Sequence, residues 1–201
     1  MSWAIVLSLG FANGAGAAES DVDLAKTFMR TLIEVSTHSK ESGGEAGEGG
    51  RQKLTNLSGK VDYQALAKRT FRTKWTKFKV AERQAFLATF QDLLETVLYP
   101  KAKNFTAKAE DLKYEKSAKV KSGVGVEGSI AREKKGEVIT KNLEIVLIFD
   151  AKSKKIVDAV IEDEQLSTNL NRQFDNALKK KTFAQIIEQM KKRVEEAKKS
   201  G

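Results

Sequence analysis

Apolar residues recur along this chain with two different periods, and the switch between them limits the folds open to it. Phe86, Leu87, Phe90, Leu93, Leu94, Val97 and Leu98 fall at the spacing of an amphipathic helix with a wide buried stripe. Further along, the period drops to two. Leu143, Ile145, Leu147 and Phe149 alternate cleanly, and Val146 with Ile148 makes the opposite face apolar as well. Such a strand is expected to be buried on both sides. Helical and strand patterns that occupy separate blocks point to an α+β domain.

The remaining elements follow from the same rule. Val22, Ala25, Phe28, Met29, Leu32 and Ile33 predict an amphipathic helix over 21–38. Residues 41–50 are half glycine and carry no bulky side chain, so a loop is expected there. Tyr63, Leu66, Ala67, Phe71, Trp75 and Phe78 resume a helical pattern over 61–78, and Pro100, the only proline, should end the following helix near Tyr99. Val124, Val126 and Ile130 form one alternating run, and Val157, Ala159 and Ile161 another, with turns expected at 134–136 and 150–155. The end of the chain is helical again through Leu166, Leu170, Phe174 and Leu178. Thr182 with Gln185 fits a capping box ahead of Phe183, Ile186, Ile187, Met190 and Val194. Glu188–Lys192 and Glu195–Lys199 are expected i, i+4 ion pairs. The sum is a small curved antiparallel sheet of three or four strands, with helices packed against one face.

The first eighteen residues hold no charge, and Trp3 to Ala12 is an apolar run too short to span a bilayer. Ala15-Gly16-Ala17-Ala18 then supplies the small residues at which a signal peptidase cuts. We read 1–18 as a secretory signal and 19–201 as one domain. No later stretch has the length and hydropathy of a transmembrane helix, so stable membrane insertion is not expected. The formal charge of +9 favours anionic partners. Its lysines are spread over every element, with the longest run at Lys179-Lys180-Lys181, and aromatics are not interleaved on a basic strand, so nucleic acid is not the expected partner.

Catalytic and metal chemistry finds little support. The chain has no cysteine and one histidine, His38, which excludes thiolate sites and the usual zinc or copper ligand sets. No metal or cofactor is expected. Gly123, Gly125 and Gly128 spell G-x-G-x-x-G, but inside an alternating strand pattern rather than at the opening of a helix; a bulge or bend is the better reading. Glu162, Asp163 and Glu164 crowd at a strand end, where rim charges are expected. Glu127, Glu144 and Asp158 are the carboxylates that a hidden enzyme would have to use. A packed core and a hollow one have the same periodicity, so a lipid carrier and a secreted scaffold with a basic protein-binding face both remain open at this point.

Two stretches carry a resemblance. The first is Val61-Asp62-Tyr63, Trp75, Glu82-Arg83-Gln84 and the Phe86, Phe90, Leu94 spacing; the second is Val157-Asp158-Ala159-Val160-Ile161-Glu162 with Gln173-Phe174 and the closing helix 182–193. Together they resemble the phospholipid-shuttle family of the Mla (maintenance of lipid asymmetry) pathway, also described as the toluene-tolerance auxiliary component of an ABC transporter. The chain departs from the family pattern at Thr70-Phe71-Arg72-Thr73, where Leu-Gly is usual, and at Glu162-Asp163-Glu164-Gln165, where Glu-Gly-Val-Ser is usual. A tryptophan common near the start of the last strand is also absent.

The resemblance implies a non-catalytic periplasmic carrier that takes phospholipid tails into an apolar pocket between sheet and helices. The implied partners are phospholipid, an inner-membrane ABC transporter complex and an outer-membrane lipoprotein complex, and a monomer is expected. The candidate lining is Phe71, Trp75, Phe90, Leu94, Val97, Leu98, Val124, Val126, Leu143, Ile145, Leu147, Phe149, Val157, Ala159 and Ile161. Trp75 and Tyr99 are expected near the mouth, where an aromatic with one polar end suits an interface.

Overall fold

The computed structural model describes residues 20–38, 48–99, 112–117, 120, 123–134, 137–161 and 163–200. The expected signal segment, Pro100, Lys135, Gly136 and Glu162 lie outside the described residues, as do the side chains of His38, Leu98, Ile130 and Leu143. Three helices come first: α1 (Asp21–His38), α2 (Glu48–Gly59) and α3 (Tyr63–Phe71). A 3-10 turn (Arg72–Lys77) leads to α4 (Val80–Leu93), which runs into a π-helical turn (Leu94–Leu98). Strands β1 (Lys113–Lys116), β2 (Gly123–Lys134), β3 (Glu137–Phe149), β4 (Ile156–Ile161) and β5 (Glu164–Gln165) follow, then helices α5 (Leu166–Leu178) and α6 (Phe183–Ser200).

The molecule is α+β as expected, with five strands rather than three or four. They run antiparallel in the order β1-β2-β3-β4-β5. The two extra strands are edges with no apolar alternation to announce them. One reads Lys-Tyr-Glu-Lys and the other has two residues, the short charged edges that discourage further pairing.

Helix α1 has the bounds its apolar face predicts. The Thr182–Gln185 cap forms reciprocally: the Thr182 N–H donates to Gln185 Oε1 at 2.8 Å, and the Gln185 N–H donates to Thr182 Oγ1 at 3.2 Å. Other expectations need correction. Helix α2 begins inside the glycine-rich stretch, because Leu57, fully buried, and Leu54 anchor it on α1 with help from a Lys53–Glu34 ion pair at 2.8 Å. Two leucines in twelve residues give too weak a stripe to read alone. The stretch 61–78 is not one helix either. Val61 bridges to Ile156 of β4, and the backbone turns at Arg72 with φ 52. On α6 the carboxylates pair one residue early, Glu188 with Lys191 at 2.7 Å and Glu195 with Lys198 at 3.5 Å. Both spacings bring side chains together on a helix surface.

Register decides which strand residues share a face. Val126, Ile145 and Ile161 form one cross-strand row, and Val124, Leu147 and Ala159 the next. All of these except Ile161 belong to the main apolar core or pack against it. The register shifts between Ile148 and Phe149, so Phe149 faces Ile156 and the extra residue, Val157, falls outside that core although it is buried. Val146 and Ile148 occupy the reverse face and are buried too, so β3 is covered on both sides from Val146 to Phe149. Part of that second cover comes from the β1–β2 connection. A Cβ on Gly123 would stand 2.9 Å from Val146 Cγ1 and 3.0 Å from the Val120 carbonyl oxygen, so only glycine allows this approach.

Candidate lipid-binding face

The residues behind the resemblance are structural devices. Asp62 caps α3 by accepting the Ala65 N–H at 2.8 Å, while its own N–H donates to the Ile156 carbonyl at 2.8 Å. Val61-Asp62-Tyr63 thus ties the helical layer to β4. Asp158, 2% exposed, does the same from the sheet side. It accepts from the Ala159 N–H (2.9 Å), Gln165 Nε2 (2.7 Å), the Ser167 N–H (3.1 Å) and Ser167 Oγ (2.6 Å), anchoring the start of α5. Glu82 reaches back to the Lys79 N–H at 3.0 Å, and Arg83 lies 6.0 Å from the centre of the Trp75 ring.

The expected lining residues separate into groups. Phe71 and Trp75 stand inside an aromatic cluster between helices. Phe71 has Trp75, Phe78, Phe86, Phe174 and Phe183 around it, with ring centres 5.0 to 5.8 Å away. Phe90 stacks on Phe86 at 5.3 Å and extends this cluster toward Tyr63. Leu94 is buried and Val97 half-buried on the π-helical turn. Val124, Val126, Ile145, Leu147, Phe149 and Ala159 line the core face of the sheet. Val157 is buried but lies outside the main apolar core. Ile161 sits in the core-face row yet is 38% exposed.

Helix α1 packs on β1 and β2, whereas α3 and α5 pack on β4. The core face of β3 therefore lies between two supports. Burial falls along the row that crosses it, from Val126 at 1% through half-buried Ile145 to exposed Ile161. The row is therefore least covered at its β4 end.

One polar network adjoins the helical core, and periodicity gave no sign of it. The hydroxyls of Tyr63 and Tyr99 meet at 3.0 Å, and Glu95 accepts from Ser58 Oγ and from Gln91 Nε2. Burial raises the pKa of both phenols above the ordinary tyrosine value. Tyr99 is 6% exposed and Trp75 3%, so neither ring stands at a solvent-facing mouth.

The carboxylates considered for catalysis do not converge. Glu127 and Glu144 are exposed cross-strand partners on the face away from the core, and Asp158 is occupied as a cap. Glu164 has its pKa lowered by the Asn169 amide, with Arg172 adding to the effect. A cleft of about 20 Å³ on the reverse face is lined by Val120, Glu144, Val146, Val160 and Asp163, room for about one water molecule. Among the described residues, no helix is long and apolar enough to cross a membrane.

Comparison with known proteins decides the family. The MlaC protein family matches residues 26–192, most of the chain. The chain belongs to the MlaC family. The fold agrees with that membership. A phospholipid-binding protein from Ralstonia solanacearum, solved in complex with a phospholipid, superposes with a TM-score of 0.59 at 16% identity, covering 89% of this chain and 99% of that one. No curated protein matches at the sequence level. Within the MlaC family, the departures noted above gain a structural meaning. Asp163, where the usual pattern has glycine, has φ 66, and Arg72, in the stretch where Leu-Gly is usual, has φ 52.

Proposed function

We propose that this MlaC-family chain is a periplasmic, non-catalytic lipid carrier. It is secreted by means of residues 1–18, holds phospholipid acyl chains, and passes them between inner- and outer-membrane complexes. The tails lie over the core face of β3, between the strands that α1 covers and the strand that α3 covers, against Val124, Val126, Ile145, Leu147 and Ala159. Leu94, Val97 and the edge of the aromatic cluster complete the apolar wall, and the headgroup stays toward Ile161.

The observation that carries this reading is the core-face row that passes from buried Val126 to exposed Ile161. An apolar face that runs out to solvent suits a ligand whose own apolar part continues it. The driving force needs no chemistry, because each buried methylene contributes about 0.8 kcal/mol. Family membership and the shared fold support the same ligand class.

Native mass spectrometry of the purified protein tests the proposal. Adducts of phospholipid mass, matched by phospholipid in an organic extract, are the expected result. A clean unliganded mass with no extractable lipid would leave the packed scaffold as the better account.

A further inference from the structure

The excess positive charge has a location that the sequence conceals. Residues 68–83 carry seven Lys and Arg side chains against a single acid, Glu82, which is turned back onto the Lys79 N–H. Far along the chain, Lys179, Lys180 and Lys181 form the turn between α5 and α6. Phe78 and Phe183 stack nearly parallel with ring centres 3.7 Å apart. That contact places Lys77 and Lys79, the neighbours of Phe78, beside the lysine turn that leads into Phe183. Lys77, Lys79, Lys179 and Lys180 are exposed, and among the described residues no carboxylate pairs with any of them. Lys179 reaches only the neutral Asn176 Oδ1, at 3.1 Å. Val80, next to Lys79, is 60% exposed and is the most exposed large apolar side chain described.

We propose that this cationic surface docks the protein on the anionic phospholipid headgroups of a bilayer. Crowded lysines without counter-charges create a local positive potential that a polyanionic surface relieves. An acidic protein is the other conceivable occupant, but the surface lacks what protein interfaces use. Their cores are depleted in lysine and anchored by aromatic residues. Here Trp75 and Phe183 are buried and Phe78 is stacked inward. A lone exposed valine among lysines suits the headgroup boundary, where an apolar side chain enters and cations stay with phosphates. The proposal does not rest on the carrier reading: docking uses the outer surface, and the tails would use the core face of the sheet.

Co-sedimentation of the full chain with vesicles provides the test, using phosphatidylcholine with about one third phosphatidylglycerol against phosphatidylcholine alone. Binding to the anionic vesicles only, weakening as salt is raised, is expected. The triple variant Lys77→Glu/Lys79→Glu/Lys180→Glu should bind at least about tenfold more weakly, since each lysine near such a surface contributes roughly a factor of five. A control of equal charge change, Lys152→Glu/Lys155→Glu/Lys192→Glu, should stay within about twofold of the parent protein. Val80→Ser should weaken binding without changing its salt dependence. Equal loss in both triple variants would reduce the effect to overall charge and overturn the proposal. Absence of any anionic preference would overturn it too, and would favour an acidic protein. Thermal melts confirm that each variant is folded. Native mass spectrometry separates the two readings, because the docking variant should keep its lipid adduct.

Discussion

The hydroxyl groups of Tyr63 and Tyr99 meet at 3.0 Å, joining the first residue of α3 to the end of the π-helical turn. A π-helical turn is uncommon and holds its place only where contacts over-determine it. Here the tyrosine pair and the Ser58–Glu95 contact fasten it to α3 and α2.

Tyr99→Phe should cost about 1 kcal/mol in denaturant unfolding, the net worth of one buried hydrogen bond. In a double-mutant cycle with Tyr63→Phe, the paired loss should be smaller than the sum of the single losses. Additive losses would mean that the hydroxyls do not interact.

The same pair sets a pH dependence. Burial raises both phenol pKa values in the fold, so the folded state keeps protons that the unfolded chain releases near its ordinary tyrosine value. The stabilising contribution is fully present below about pH 10 and is lost as pH rises past it. The denaturation midpoint should fall above that pH, and fall less steeply in Tyr99→Phe.

Asp158→Ala should destabilise the protein by about 2–4 kcal/mol, because it strands the Ser167 N–H, Ser167 Oγ and Gln165 amide donors in a buried site. Asp158→Asn keeps one acceptor oxygen and should cost less. Urea unfolding of the two variants measures the difference.

Arg72 adopts φ 52 and ψ −128, a region that suits glycine and penalises any side chain. Arg72→Gly should raise stability by about 1 kcal/mol, and Arg72→Ala should not. A loss on introducing glycine would show that the arginine side chain outweighs the strain.

Ile145 and Leu147 separate ligand from fold. Leu147 is 4% exposed, so Leu147→Asp buries an unpaired charge and should unfold much of the protein. Ile145 is only half-buried, so Ile145→Asp should remain folded by circular dichroism yet lose the phospholipid adduct. A folded Ile145→Asp variant that retains lipid would remove β3 from the binding face.

Local signals were legible where a single segment carries its own physics. The stripe from Val22 to Ile33 set the bounds of α1, the Thr182–Gln185 cap opened α6, and alternation with doubled hydropathy marked β3 as covered on both faces. Segments whose stability comes from elsewhere were not legible. Helix α2 depends on α1, β1 depends on β2, and the break at Arg72 depends on the packing of Phe71 among five rings. The lining was legible in type only. Both faces of β3 are apolar, and nothing in its sequence says which one meets the helices.

By itself the sequence determined the kind of element at most positions, the cap that opens α6 and the resemblance to a lipid-shuttle family. Tertiary structure alone decided that Val126, Ile145 and Ile161 share the core face while a bulge takes Val157 out of the cross-strand pairing. It also gathered scattered lysines through the stacking of Phe78 on Phe183. The reason is range: period and capping act over a few residues along the chain, whereas register and ring stacking join residues far apart in sequence.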